Sequence, residues 1–301
     1  MPGERKVGQD HGYYDWSPIV TRPPLKWPND ARVALVVIVN LEHYDWDLPR
    51  DDAKAPAKES TRPPTDLTVY GQHDYGNRVG VFRILKILDK HGIKPTIAMD
   101  KTVAEHFPYL VRECKNRGLE IMAHGISARR HIQSKMSIDA ERAYIRESIA
   151  AVEKAMGKKP AGWLGPEGHE TMNTPNLLAA EGIRYVCDWG NDEQPYRMKV
   201  SQGELFSLGA DLDLDDIYIH LEGRRLIDEY RQILQDAFDV LYADGAKSGR
   251  LMVVNLHPWV IGWPWRTVYL DRAFAHISKF SDVWKASGSE VIDWYKTHSK
   301  A

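Results

Sequence analysis

Three short apolar runs, each hydrophobic enough to be a buried parallel strand, end on a histidine or a carboxylate. Val33–Asn40 runs into Leu41-Glu42-His43, Leu119–Ala123 into His124, and Leu251–Leu256 into His257. Polar groups at the ends of successive buried strands are how a β/α barrel builds an active site, because the strand ends and their loops open onto a cleft. A single histidine in such a place is equally a satisfied core residue. Three in the same context, far apart in sequence, point to one shared pocket. Carboxylates and imidazoles gathered there mark a catalytic or ligand-binding cleft.

The elements that must position these groups alternate along the chain. A polar, proline-bearing arm covers residues 1–30, and Val33–Asn40 is the first strand. A long insertion, Trp46–Asn77, follows with prolines at 49, 56, 63 and 64; its aromatic end, Tyr70 to Tyr75, suits an ordered lid or a subunit contact. Helix Val79–His91 is closed by Gly92, helix Val103–Arg117 by Gly118 and helix Ile138–Met156 by Gly157, with strands Pro95–Met99 and Leu119–Ala123 between them. Strand Ala161–Leu164, helix Thr174–Ala180, strand Tyr185–Asp188, a variable stretch Glu204–His220, helix Leu226–Ala243, strand Leu251–Leu256, helix Val268–Phe280 and a closing helix Glu290–His298 complete the pattern. Repeated βα units imply a mainly parallel sheet, closed or nearly so, in one α/β domain over residues 31–298.

Composition narrows the class. A chain of 301 residues, 43% of them hydrophobic, can bury a large core. A net charge of −2 leaves no excess of Lys and Arg for nucleic acid. No apolar stretch is long enough to span a bilayer, and Met1–Lys6 leads into no signal-peptide run, so a cytoplasmic location is expected. Cys114 and Cys187 form no disulfide framework or metal-finger spacing and read as buried free thiols.

Several ordered motifs carry a family resemblance over roughly residues 30–296. They are Asp74-Tyr75-Gly76-Asn77-Arg78-Val79-Gly80 with Arg83, His124-Gly125, Gly162-Trp163-Leu164-Gly165-Pro166, Cys187-Asp188-Trp189 with Asp192 and Pro195-Tyr196, and Leu256-His257-Pro258 with Ile261-Gly262. Together they resemble the polysaccharide deacetylase (NodB-homology) family, most closely its allantoinase-like branch. The resemblance implies an irregular (β/α) barrel of about seven units. It leaves the substrate open among N-acetylated sugars, peptidoglycan and cyclic ureides or imides.

It also implies roles. Glu42 stands where the family carries aspartates that act as base and metal ligand, and is the candidate base; the alternative is a carboxylate paired with Arg78 or Arg83. The metal set would be His43, Asp45 and His124, but Ala128 occupies the position of the family's second imidazole, with His131 the only histidine near enough to fold back, so the set is incomplete. His257 matches the histidine that protonates the leaving nitrogen; the alternative is a core histidine capping the Pro258 turn. Arg78 either binds a substrate oxygen or holds a carboxylate, and Trp163 and Glu167 fall in the substrate-binding segment. Asp188 and Asp192 either orient a ring N–H or form turns, and Trp259, Trp263 and Trp265 either floor a planar ligand or pack an interface. The run Asp211 to Asp216 reads as a strand with one solvated face, with Asp215-Asp216 its site candidates.

These residues lead to a hydrolase of a non-peptide C–N bond, acting on a small cyclic amide, ureide or imide, with no cofactor or a weakly bound divalent metal, zinc if any. A metal-dependent deacetylase of amino sugars or peptidoglycan is the alternative enzyme, and an inactive ligand-binding barrel the alternative of another class. A small-molecule substrate and, from the aromatic insertion and tryptophan cluster, a homo-oligomer are the expected partners; neither nucleic acid nor membrane is.

Overall fold

The computed structural model describes residues 11–46 and 67–299. Most of the insertion expected to form a lid, residues 47–66, lies outside the described residues. In chain order the elements are β1 (Val33–Leu41), α1 (Leu67–Tyr75), α2 (Val81–Lys90), β2 (Thr96–Met99), α3 (Lys101–His106), α4 (Pro108–Arg117), β3 (Glu120–Ala123), α5 (Ile138–Met156), β4 (Gly162–Trp163) and α6 (Thr174–Ala180). After them come β5 (Tyr185–Val186), β6 (Tyr196–Met198), β7 (Leu205–Ser207), α7 (Ile227–Gly245), β8 (Arg250–Leu256), α8 (Pro258–Ile261), α9 (Pro264–Ile277), β9 (Val283–Lys285) and α10 (Gly288–His298).

β1 organises the rest. Every one of its residues is buried, because β8 pairs with it in parallel over Val33–Val39 while β2 pairs with Ile38–Leu41 and β9 with Val33–Leu35. A strand covered on both faces must sort its side chains by a two-residue period. Val33, Leu35, Val37, Val39 and Leu41 join the outer core beneath the helices. Ala34, Val36 and Ile38 face inward, with Ala98 of β2, Met122 of β3, Leu164, Cys187 and Phe206 around them and Leu251 and Val253 of β8 alongside. The inward series then turns polar at the C-terminal ends: Asn40 and Glu42 follow Ile38, His124 follows Met122, and Asn255 and His257 follow Val253.

The fold is α/β, with a curled sheet in the order β6-β7-β5-β4-β3-β2-β1-β8 and β9 beside β1. All pairings are parallel except β6 with β7. The sheet stops short of closing between β8 and β6; the Leu251 N–H donates to the Glu193 carbonyl at 2.8 Å, and an isolated bridge joins Asp215 to Asn255. The opposite end of the barrel is filled by Leu25, Trp27 and Ala31 with Val291 and Ile292 of α10, and the Trp27 indole donates to the Arg250 carbonyl at 2.8 Å. Residues 1–30 were expected to form a polar arm; its last turn instead packs into the inner core. Cys114 and Cys187 are buried and free, and among the described residues no helix is long and apolar enough to cross a membrane.

Three expectations change. Residues 67–77 are not loop: α1 continues through a π-helical turn, Gly76–Gly80, directly into α2. Its glycines and polar side chains hide the apolar period that would have revealed a helix. The glycines are there for close approach, since a Cβ on Gly76 would lie 2.6 Å from the Trp259 nitrogen, and one on Gly80 would drive into the Pro258 carbonyl oxygen. The acidic run is a 3-10 turn, Leu212–Leu214, rather than a strand, and of its two site candidates Asp216 is fully buried and Asp215 partly so. Strands β6 and β9, three residues each, are too short to carry a readable alternation.

This packing predicts opposite outcomes for two glycines one helix apart. Gly80→Ala must push backbone against backbone and is expected to destabilise by about 1–3 kcal/mol. Gly71→Ala, with nothing within 4 Å of the added methyl, is expected to be neutral or to stabilise by up to about 1 kcal/mol. Equal melting temperatures for the two variants would contradict the close contact of this helix with α8.

Candidate active site

Glu42 is the first residue beyond β1, 9% exposed, and carries its inward position to the barrel mouth. Its Oε1 lies 3.0 Å from His124 Nε2, while His124 Nδ1 lies 2.6 Å from the Leu164 carbonyl. A carbonyl only accepts, so Nδ1 carries a proton; the bond to Glu42 then needs another, held on one partner or the other. Burial pushes the Glu42 carboxyl up, but the His124 hydrogen bond and the charge of His257 outweigh it and hold the group down at about 2. Glu42 is therefore the ionised partner. Neither arginine considered for it is near: Arg78 is exposed and pairs with Asp74 at 3.4 Å, and Arg83 binds the Tyr75 hydroxyl and the Gly262 carbonyl.

His257 ends β8, next to β1, and is 5% exposed. Its backbone N–H donates to Asp216 Oδ2 at 2.9 Å and its Nδ1 to Asp216 Oδ1 at 2.7 Å, which fixes the ring and leaves Nε2 without a protein hydrogen bond among the described residues. Asp215 sits behind, 3.8 Å from Nδ1, and accepts from Asn255 at 2.7 Å; Asn255 in turn accepts from Asn40 at 2.7 Å. Burial alone would lower the imidazole pKa, but the charges of Asp215 and Asp216, the Asp216 hydrogen bond and Glu42 raise it to about 10. His257 is an imidazolium at neutral pH. His257 also caps the Pro258 turn, but through its backbone carbonyl, which accepts from the Val260 and Ile261 N–H groups at 2.8 and 3.0 Å, while its ring is held by Asp216.

The proposed metal set does not assemble. The His43 ring stands against Tyr70 and Phe107 at 6.3 and 5.9 Å between centroids. The Asp45 carboxylate accepts from the Ser127 hydroxyl and faces Arg130 at 3.6 Å. Ala128 offers only its backbone N–H, which donates to the His43 carbonyl at 2.9 Å, and His131 lies beside His169, with centroids 4.8 Å apart. Among the described residues only Asp215, Asp216 and His257 bring three ligand atoms within 4.8 Å, and there the Nδ1 atom is already bound to Asp216. A divalent metal is typical of polysaccharide deacetylases, but one imidazole and one carboxylate fall short of the three protein ligands that a catalytic zinc takes.

Of the substrate-binding candidates, Trp163 is placed elsewhere by the strand period: its neighbour Leu164 faces inward, and Trp163 is buried in the outer core with its edge toward Tyr144. Asp192 is bound to Arg22 at 2.5 Å beside the start of β8, the end remote from His257, so it ties down the N-terminal segment. Glu167 lies on a turn with a left-handed φ of 53°, its carboxylate 3.7 Å from His169. Trp263 lies flat on Tyr75 at 3.9 Å and donates to the Trp259 carbonyl, and Trp265 is exposed. Arg78 lines a surface groove of about 610 Å³ with Phe82, Phe107, Tyr109 and Arg112.

Asp188 is near the site by a different route. Its Oδ1 accepts from the Gly165 N–H at 2.8 Å, while its Oδ2 and Glu170 Oε1 are both buried without a donor. Burial first, then the charge of Asp188, push the Glu170 carboxyl up, so Glu170 keeps its proton and shares it with Asp188. Trp189 donates to the other Glu170 oxygen at 2.8 Å. Glu170 had no sequence signal. Asn40 and Asn255 had one that passed unread: Asn40-Leu41-Glu42 and Asn255-Leu256-His257 repeat one pattern, a polar residue two before each strand-end group.

Residues 61–186 match the model of the polysaccharide deacetylase family. A Schizosaccharomyces pombe protein provisionally named a polysaccharide deacetylase is 26% identical over 93% of this chain and 95% of its own length. A peptidoglycan deacetylase of Helicobacter pylori is 22% identical over 73% of this chain and 84% of its own. Among solved structures, Puue allantoinase matches with a TM-score of 0.80 at 27% identity, and a probable polysaccharide deacetylase of Pseudomonas aeruginosa PAO1 with 0.80 at 26%; each match covers 91% of this chain and 94% of the other. Residues 61–186 thus carry a polysaccharide deacetylase domain, and the chain is a hydrolase of carbon–nitrogen bonds other than peptide bonds.

Proposed function

We propose that the protein opens a small cyclic ureide or imide by hydrolysing a ring amide, using Glu42 as base and His257 as acid, with any divalent metal at most weakly held. The observation that carries this reading is the pairing of Glu42 with His124, with no third ligand among the described residues, beside an imidazolium held by Asp216. The likeness to Puue allantoinase supports a ureide.

Water between the two groups loses a proton to the Glu42 carboxylate as its oxygen bonds to the carbonyl carbon. The tetrahedral intermediate collapses when His257 Nε2 gives its proton to the ring nitrogen and the C–N bond breaks, leaving a carboxylic acid and a freed amide or amine nitrogen. A carboxylate at about 2 is a weak base in the resting site. The two titrations are coupled, however: the His257 charge is one of the influences that keeps Glu42 acidic, so Glu42 holds its proton better once His257 has given its own away. The protons then exchange with solvent and restore the site.

A metal-dependent deacetylase of N-acetylated sugars is the second reading, favoured by the names of the curated relatives. A panel of cyclic ureides and imides against N-acetylglucosamine oligomers separates them. Ring opening without oligomer deacetylation is expected, and efficient deacetylation of a long oligomer would overturn the small-ring reading.

Two further outcomes follow from the pair. Glu42→Gln and His257→Ala should each lower kcat about a hundredfold or more in a folded protein; near-full activity in either would remove that residue from the mechanism. With Glu42 ionised above about 2 and His257 charged below about 10, kcat/KM should be flat across neutrality, falling at low pH as Glu42 is protonated and at high pH as His257 loses its proton. Asp216→Asn removes one of the charges that raises His257 and should draw the alkaline limb toward neutrality. An unmoved limb would show that His257 is not the acid.

A further inference from the structure

His73 lies between the first strand and the Gly76–Gly80 turn, in the aromatic stretch Tyr70 to Tyr75 that the sequence suits to an ordered lid or a subunit contact. It is 8% exposed, on α1, with its ring clamped between Tyr44 at 4.4 Å and Trp259 at 3.8 Å, nearly parallel to both. Tyr44 stands two residues beyond Glu42, and Trp259 two beyond His257. The ring therefore bridges the exits of the two strands that carry the acid–base pair, and its charge state is coupled to both Glu42 and His257.

Its nitrogens have no protein partner. Nδ1 is sealed from solvent with no hydrogen bond, and Nε2, which also has none among the described residues, is not sealed. A buried N–H without an acceptor is rarer in proteins than a buried lone pair without a donor, so the proton belongs on Nε2. Burial holds the imidazole neutral, lowering it to about 3 against the pull of the Glu42 charge. A neutral imidazole clamped by packing beside a reacting pair, with one N–H that is not sealed, is suited to charge that develops on a carbonyl oxygen, since it is held in place before the reaction begins.

We infer that His73 is a catalytic residue, its neutral Nε2–H donating to the oxygen of the attacked carbonyl as the tetrahedral intermediate forms. The oxygen gains a hydrogen bond in the transition state that the planar substrate uses less, while the proton stays on His73 throughout. The inference rests on the proposed pairing of Glu42 and His257, but not on the identity of the ring they attack.

The test uses the whole chain. His73→Phe keeps the stacked ring and removes the donor; His73→Gln restores a neutral N–H. On any amide that the wild-type protein hydrolyses, ureide or acetamido sugar, His73→Phe should lower kcat about 10²–10³-fold, the usual effect of losing one such donor, with KM changed little and the melting temperature kept. His73→Gln should recover part of the loss. If only a sugar is hydrolysed, the ureide reading fails and the role of His73 is read on that substrate. Nitrogen NMR of the imidazole needs no substrate and should show the Nε2–H tautomer at pH 7. An imidazolium or Nδ1–H form, or kcat in His73→Phe close to that of the wild type, would overturn the inference.

Discussion

A strand buried on both faces divides its side chains between two cores, and that two-residue constraint places every group of the site. In β1 the even positions look into the barrel, so Asn40 and Glu42 continue the line of Ala34, Val36 and Ile38 out to the mouth. In β8 the odd positions do the same, and Asn255 and His257 continue Leu251 and Val253. The direct pairing of β1 with β8 sets the two lines side by side. The same rule sends Trp163 to the outer core, away from any substrate.

Where the interior turns polar, it does so in pairs. Glu42 with His124 and His257 with Asp216 are buried, Glu170 with Asp188 is half-buried, and each pair shares a proton or a charge. Such pairs are a poor source of stability: losing one partner costs about 3–5 kcal/mol, yet replacing both by packed apolar groups is often neutral or favourable. Their concentration at one end of the barrel, while the other end is filled by Trp27, Val291 and Ile292, marks the polar end as the working one. The pairs also divide the labour: one keeps a carboxylate ionised, one keeps an imidazole charged, and one keeps a carboxyl neutral between the loops that follow β4 and β5, which carry Gly165 and Trp189.

The sequence made the fold and half the site legible for the same reason. Long apolar strands and helices ended by Gly92, Gly118 and Gly157 have periods that can be read without a structure, and the strand ends named Glu42, His124 and His257 directly. What stayed hidden depends on contacts that no period encodes. Asp216 reads as a site candidate at the end of an acidic run, but only the fold shows that its partner is His257. Asp192 resembles a site residue by motif and is bound by Arg22 from far along the chain. His73 sits in a stretch whose glycines disguise a helix, and two of them, Gly76 and Gly80, make sense only against the backbone of α8. His43 and Asp45 adjoin Glu42 in sequence, but they fall at odd positions, and in β1 the odd positions face the outer core.

The central claim is that acid–base pairs built from this chain's own side chains carry the hydrolysis where the family's ligand set is incomplete. It is tested most directly by measuring metal content and ring-opening turnover on one preparation, before and after exhaustive chelation. The account predicts that the chelated protein, with far less than one metal per chain, keeps most of its turnover. Turnover that vanishes with the metal and returns in proportion to added zinc would contradict it.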